Sequence, residues 1–158
     1  MTPAQVESLF KEHARSVHAV VFRLTLDAAA SDDATQEAFV RLLTSPPAAQ
    51  TNLAAWLKRV AVNFAIDILR RQARVIALND QDFALKPVSD QELGDELLAA
   101  LRRLDADQRA AVLAVDRDGM SYEDAAQLTG LHLNKLRTDL ARGRRALFEI
   151  LKQERAAG

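Results

Sequence analysis

The stretch "SYEDAAQLTGLHLNKLRTDLARGRRAL", residues 121–147, restricts the fold more than any other part of the chain. Ser121 is a helix cap and Glu123 and Asp124 complement the dipole of a short helix. Ala125 and Ala126 are small where two helices must cross, and Gly130 supplies the left-handed residue that a helix end prefers. "LHL" is then a turn, and a second helix begins near Leu133. On a helical wheel Leu133, Leu136, Leu140, Leu147 and Leu151 share one face, which must be buried. Asn134, Thr138, Ala141 and Arg145 point the other way, flanked by Lys135, Arg137, Arg142 and Arg144. An uncharged centre rimmed by cations suits a major groove: amide and hydroxyl groups meet base edges, and Arg and Lys meet phosphates. A merely solvated helix face is the competing reading.

The rest of the chain is helical by the same signals. Thr2, Pro3 and Gln5 form a helix start, and Val6, Leu9, Phe10, Val17, Val20, Val21 and Leu24 recur at helical spacing. Ser31 or Asp32 is expected to cap a second helix through Leu43, which "TSPPAAQT" ends. Asn52 caps a third, "LAAWLKRVAVNFAIDILRR", with Leu53, Trp56, Leu57, Val60, Phe64 and Ile68 on its apolar side. Periodicity then fades across Asn79, Asp80, Asp82, Pro87 and Asp90, which reads as a linker. "DQELGDELLAALRRL" and "DADQRAAVLAVDRD", the latter with a capping box at Asp105 and Gln108, complete a four-helix unit. The expected fold is all-α: a three-helix unit at 1–72, a linker at 73–90 and a helix-turn-helix unit at 91–158.

Charge and composition exclude several function classes. Net charge is −1, yet residues 134–158 hold seven basic and three acidic groups, a small basic surface on a neutral protein. With no cysteine, disulfides and thiolate zinc sites are ruled out. Neither a signal-like start nor an apolar run of the roughly 20 residues needed to span a bilayer is present, so a cytoplasmic protein without membrane insertion is expected. His13, His18 and His132 are isolated, and a five-residue spacing does not set the first two on one face as a metal pair. Asp32, Asp33 and Glu37 have no partnered nucleophile and suit capping or partner contact; Trp56 suits the core, with DNA contact as the alternative. No phosphate-binding glycine loop occurs. No enzyme, metal, cofactor or small-molecule substrate is expected.

In Gly119, Ser121, Tyr122, Asp124, Ala126, Gly130, Leu131, Leu136, Arg137, Leu140, Arg142, Arg144 and Leu147 the chain resembles the fourth conserved region of extracytoplasmic-function RNA polymerase sigma factors. "LDADQRAAVLA" is similar to the helix upstream of that region, and "DDATQEAFVRLL" and "WLKRVAVNFAIDILRR" resemble the family's second region, in the right order. The resemblance implies an alternative sigma factor whose partners are core RNA polymerase, promoter DNA and, in some members, an anti-sigma factor. By resemblance, Asp33, Gln36, Glu37, Phe39, Arg41 and Leu42 dock polymerase. Lys58, Arg59, Asn63, Arg70 and Arg71 face −10 DNA, and the loop at 44–52 receives an unstacked base. Asn134, Lys135, Arg137, Thr138, Arg142, Arg144 and Arg145 read the −35 element.

The chain departs from the family pattern at His132, Asn134, Lys135 and Asp139, and its 44–52 loop has neither an aromatic ring nor a positive charge. Asp139 has two readings: an intrahelical partner of Lys135 or Arg142, or a group aimed at DNA. These departures motivate an alternative function, a sigma-like interaction module that captures a regulator and has lost promoter binding. An ordinary helix-turn-helix repressor is a third possibility.

Overall fold

The computed structural model describes residues 1–79 and 92–157, with side chains for 1–75 and 92–157. Seven α-helices and one short π-helical segment account for the regular structure of the described residues. The first three are α1 (Pro3–Thr25), α2 (Ala28–Thr44) and α3 (Leu53–Asn79). The others are α4 (Asp95–Arg102), α5 (Ala106–Val112), α6 (Tyr122–Thr129) and α7 (Leu133–Ala157).

Local chemistry explains the helix starts. Thr2 and Gln5 make the full capping box of α1, and the Asn52 carboxamide accepts from the Ala55 amide at 3.2 Å to start α3. Asp105 accepts from Gln108 N, and Ser121 from Asp124 N. The second helix, however, begins earlier than the Ser31 or Asp32 cap expected from sequence. Leu26 takes a left-handed conformation (φ 55°) that closes α1, and Asp27 then caps α2 by accepting from Ala30 N at 2.8 Å. Ser31 is instead buried, its hydroxyl donating to the Asp27 carbonyl at 2.7 Å.

A second difference lies at the end of α3. The expected stop after Arg71 is not taken, because "QARVIALN" contains no Gly or Pro and the helix continues to Asn79. The remainder of the expected linker, Pro87 included, lies outside the described residues. Between α5 and α6 the chain widens into a π-helical turn, Leu113–Arg117, so "DADQRAAVLAVDRD" is one continuous rod with a bulge near its end.

Helices α1, α2 and α3 pack mutually around Val17, Val21, Leu24, Leu42, Leu57 and Ile66, all buried. Helix α7 lies against α4, α5 and α6 through Leu136 and Leu140. At Gly143 α7 crosses close to α5: a Cβ there would lie 2.9 Å from Val112 Cγ2 and 3.2 Å from the Gln108 carbonyl.

These two units also close on each other. Helices α5 and α6 pack on α3, α5 packs on α1, and the buried apolar residues form one continuous core. At its edge the buried Arg109 crosses from α5 to the first unit. It donates to the carbonyls of Thr25 at 2.6 Å, Leu101 at 3.1 Å, Arg102 at 2.9 Å and Leu104 at 3.0 Å. One guanidinium thus satisfies the last carbonyls of both α1 and α4. Burial pushes its pKa down to about 10, aided by the charge of Arg102. Nearby Asp118 receives Arg23 of α1 at 2.5 Å, which raises the Arg23 pKa.

Candidate nucleic-acid interface

The α6–α7 hairpin has the geometry that its residues predict. Gly130 adopts φ 74° at the end of α6, and its amide donates to the Ala126 carbonyl. Leu131 is buried in the turn and α7 begins at Leu133. Helix α7 therefore buries Leu136 and Leu140 and leaves Asn134, Thr138, Ala141, Arg142 and Arg145 exposed along one side. Thr138 donates its hydroxyl to the Asn134 carbonyl at 3.1 Å, and no ion pair is recorded for Arg142 or Arg145 among the described residues. That strip carries two free guanidiniums, an amide and a methyl, the donor and apolar groups a groove presents partners for.

The cations at the rim are already engaged. Arg137 lies over the Tyr122 ring, 5.9 Å from its centroid. Arg144 is held in a fork by Asp116, at 2.9 Å through Nε and 2.6 Å through Nη2, which raises its pKa. Lys135 donates to Asp139 one turn on, at 2.7 Å, and to Asp107 of α5, at 2.8 Å. Asp139 is buried at 7% exposure, so of its two readings the intrahelical pair holds, with Lys135 as the partner.

Asp107, on α5, gathers groups from two other helices. Its other oxygen receives Nε and Nη2 of Arg70, at 2.8 and 2.7 Å. Burial by itself would raise the Asp107 pKa, but the hydrogen bonds from Lys135 and Arg70 prevail and hold it below the usual carboxylate value. Burial opposes the charge of Lys135 in the same way, and its two carboxylate partners prevail to raise its pKa.

Of the five residues of α3 expected to meet −10 DNA, four face the second unit. The Asn63 side chain lies under Gly130, where an added Cβ would come within 2.2 Å of Asn63 Oδ1. Lys58 and Arg59 line a hollow of about 340 Å³ with Ala55 on α3 and Met120, Asp124, Gln127 and Leu128 of the other unit. Arg70 is on Asp107, whereas Arg71 is exposed and pairs within α3 with Asp67 at 2.6 Å.

The α2 residues divide. Asp33, Gln36 and Arg41 are exposed; Glu37 is half-buried and pairs with Arg41 at 3.2 Å, while Arg41 also lies over Phe64. Phe39 and Leu42, expected in a docking surface, are core residues instead, because a helix of this register turns them toward α1 and α3. Phe39 meets the Phe10 ring edge to face at 5.0 Å. Exposed apolar positions on α2 are Val40 and Leu43, which sequence reasoning did not select. Beside the 44–52 loop, Pro46, Pro47 and Ala49 meet Met1, Gln5, Ser8 and Leu9 of α1 around a mostly apolar hollow of about 540 Å³.

Other candidates resolve plainly. His18 pairs with Asp32 at 2.7 Å, and no cluster of potential metal ligands occurs among the described residues. Trp56 is half-buried against the core. No described helix is long and apolar enough to cross a membrane.

Comparison with known proteins matches residues 9–75 to the sigma-70 region 2 family and residues 94–147 to the sigma-70 region 4 family. The chain is 31% identical over 156 residues to the ECF RNA polymerase sigma factor SigE of Mycolicibacterium smegmatis, covering 92% of this chain and 61% of that one. It is 31% identical over 153 residues to RNA polymerase sigma factor CarQ of Myxococcus xanthus, covering 92% and 88%. The ECF sigma factor SigM of Mycobacterium tuberculosis is 31% identical over 151 residues, covering 92% and 76%. Among solved structures, the sigma factor RpoE of Bartonella quintana, bound to the anti-sigma factor NepR, superposes with a TM-score of 0.62 at 24% identity, covering 92% and 96%. SigJ of M. tuberculosis gives a TM-score of 0.58 at 22% identity, covering 89% and 52%. At such identities the likeness to the solved structures is one of fold.

Proposed function

The chain belongs to the sigma-70 family, in its extracytoplasmic-function class, and from that membership we propose that it is an alternative sigma factor. It binds core RNA polymerase in the cytoplasm, brings it to a set of promoters and acts by binding, not by catalysing a reaction. The observation that carries the reading is the pairing of two matched regions, in order, with an α7 whose outward strip is Asn134, Thr138, Arg142 and Arg145. That strip reads the −35 element, with Lys135, Arg137 and Arg144 at its rim.

In this reading the unit at 1–72 binds polymerase through α2 and −10 DNA through Lys58, Arg59, Asn63, Arg70 and Arg71, and the unit at 91–158 binds the −35 element. Asp33, Gln36, Glu37 and Arg41 supply the polar part of the polymerase contact, and Phe39 and Leu42 support it from beneath. Reconstitution with core polymerase and mapping of transcript starts tests the proposal. The expected result is initiation at a defined promoter set; absence of both polymerase binding and promoter-dependent run-off transcripts would reject it.

A second reading is a sigma-like module that captures a regulator such as an anti-sigma factor. It is favoured by one observation: Arg70 and Lys135 are both engaged within the protein by Asp107. If Arg142→Ala and Arg145→Ala abolish transcription and leave regulator binding intact, this second reading fails.

A further inference from the structure

Five cations stand between residues 134 and 145, and by number alone they would give α7, read as the −35 helix, a strong attraction for any duplex. Carboxylates have already taken up two of them. On one rim Lys135 is held by Asp139 and Asp107, and on the other Arg144 is held by Asp116. Asp139 and Asp107 keep only 9% and 15% of their side chains exposed, so their charges are bound up with packing. Asp116 is different. Its side chain is 38% exposed, and Arg144 is the partner recorded for it among the described residues. Loss of its charge is therefore an electrostatic change at a surface site.

A local irregularity brings this carboxylate to α7. Leu113–Arg117 is π-helical, and the wider turn rotates Asp116 away from the direction that an α-helical continuation of α5 would give it. Its two oxygens then accept from Nε of Arg144 at 2.9 Å and from Nη2 at 2.6 Å. Tyr122 is a further partner of Arg144 and carries Arg137 over its ring, so the arrangement is tied to the start of α6 as well. Arg144 lies about 100° round α7 from Arg145 of the outward strip, at the edge where a strand of DNA would pass. A phosphate that approaches Arg144 meets Asp116 at nearly the same distance, and the repulsion offsets most of the attraction. We infer that Asp116 is a positioning residue of the −35 helix: by holding Arg144 it takes that cation out of the sequence-independent attraction for phosphates, and leaves DNA binding to Asn134, Thr138, Arg137, Arg142 and Arg145.

This inference rests on the reading of α7 as the −35 helix, and its test separates the two. The reconstituted holoenzyme is titrated with two duplexes over a range of salt concentrations, one carrying its mapped promoter and one carrying the same promoter with the −35 element scrambled. Asp116→Asn should bind both more tightly by about three- to fivefold, the gain expected from releasing one surface cation to a phosphate. Its salt slope should steepen by about one counterion. The gain should be the same on both duplexes, because a phosphate contact carries no sequence information.

Three further variants exclude a merely structural role. Asp116→Ser, which removes the charge in another way, should behave as Asp116→Asn does. Asp116→Glu keeps the charge and should stay close to wild type. Arg144→Ala should have little effect alone, yet in the Asp116→Asn background it should cancel both the gain and the steeper slope. Unchanged affinity and slope in Asp116→Asn overturn the inference, and so does a gain that survives the loss of Arg144. A wild-type protein that gives no promoter-dependent run-off transcript removes the sigma reading, and this inference with it.

Discussion

Lys135 and Asp139 meet across one turn of α7 at 2.7 Å, and the carboxylate, not the ammonium, is the buried partner. A charge left in that position without its cation keeps its desolvation penalty. Lys135→Ala should therefore cost about 1–3 kcal/mol in urea unfolding. The double variant Lys135→Ala with Asp139→Ala should recover part of that loss, because the buried charge goes with its partner. Additive single effects would show that the pair is not coupled.

Among the described residues Arg109 has four backbone carbonyl partners and no carboxylate hydrogen-bonded to it. Arg109→Leu keeps the bulk of the stem but strands the carbonyls of Thr25, Leu101, Arg102 and Leu104 in a buried site. A loss of about 2–4 kcal/mol is expected. Arg109→Lys should restore only a fraction, since a point-like ammonium cannot span the same fork. Chemical denaturation of the three proteins decides it.

What the sequence disclosed and what it hid have different physical origins. Caps, the Gly130 turn and the leucine face of α7 depend on residues within a few positions of one another, so Thr2, Asn52, Asp105 and Ser121 were all legible. Asp139 was half legible: spacing named Lys135 as one partner, but not that Asp107 would share the same ammonium. Arg109, Asp107 and Asp118 were not selected, because their partners lie 84, 37 and 95 residues away. Small size marks Ala125 and Ala126 as a close crossing, and Ala125 is buried, but α7 also comes close to α5 at Gly143, which no local pattern marks. Helical spacing tells which residues share a face; it does not tell which neighbouring helix covers that face. For that reason Phe39 and Leu42 were assigned to a surface that is in fact interior.

The ion pairs on Asp107 should respond to pH at both extremes. Asp107 is held below its usual pKa, so its contribution is present above the ordinary carboxylate range and is lost as pH falls through its folded value. Lys135 is held above its usual pKa, so its contribution is present below the ordinary lysine value and is lost as pH rises through the raised one. Arg70 is the second cation on Asp107, and Asp139 shares Lys135. The stability difference between wild type and Asp107→Asn in urea unfolding should stay constant from about pH 5 to 9 and shrink outside that window. Shrinkage within it would place the responsible group elsewhere.

On α7 the arginines should differ in their effect on DNA. Arg142 and Arg145 are exposed with no recorded ion pair among the described residues, whereas Arg144 is already forked on Asp116. For the reconstituted holoenzyme on its own promoter, Arg142→Ala and Arg145→Ala should each weaken binding and lower the salt slope by about one counterion. Arg144→Ala should do less, because in the folded protein its charge is already balanced. Equal slopes for all three would mean that Asp116 releases Arg144 on DNA.

The last prediction concerns α2, where burial reverses the sequence expectation. Val40 and Leu43 keep 51% and 41% of their surface exposed, beside the polar Gln36 and Arg41. Phe39 and Leu42, between them in sequence, are at 4% and 0%. A helix that exposes branched aliphatic residues at i and i+3 has an apolar strip with no internal use, suited to an anchor in a partner's groove. Val40→Glu with Leu43→Glu should leave thermal stability within about 0.5 kcal/mol of wild type, as surface changes usually do. The same variant should weaken core polymerase binding by tenfold or more. Phe39→Ala should instead unfold the N-terminal unit more readily, by about 3–5 kcal/mol, through the cavity it leaves against Phe10. Any loss of polymerase binding in that variant should then scale with its unfolded fraction. Pull-down with core polymerase alongside thermal denaturation separates the two effects, and normal binding by the double glutamate variant would remove Val40 and Leu43 from the interface.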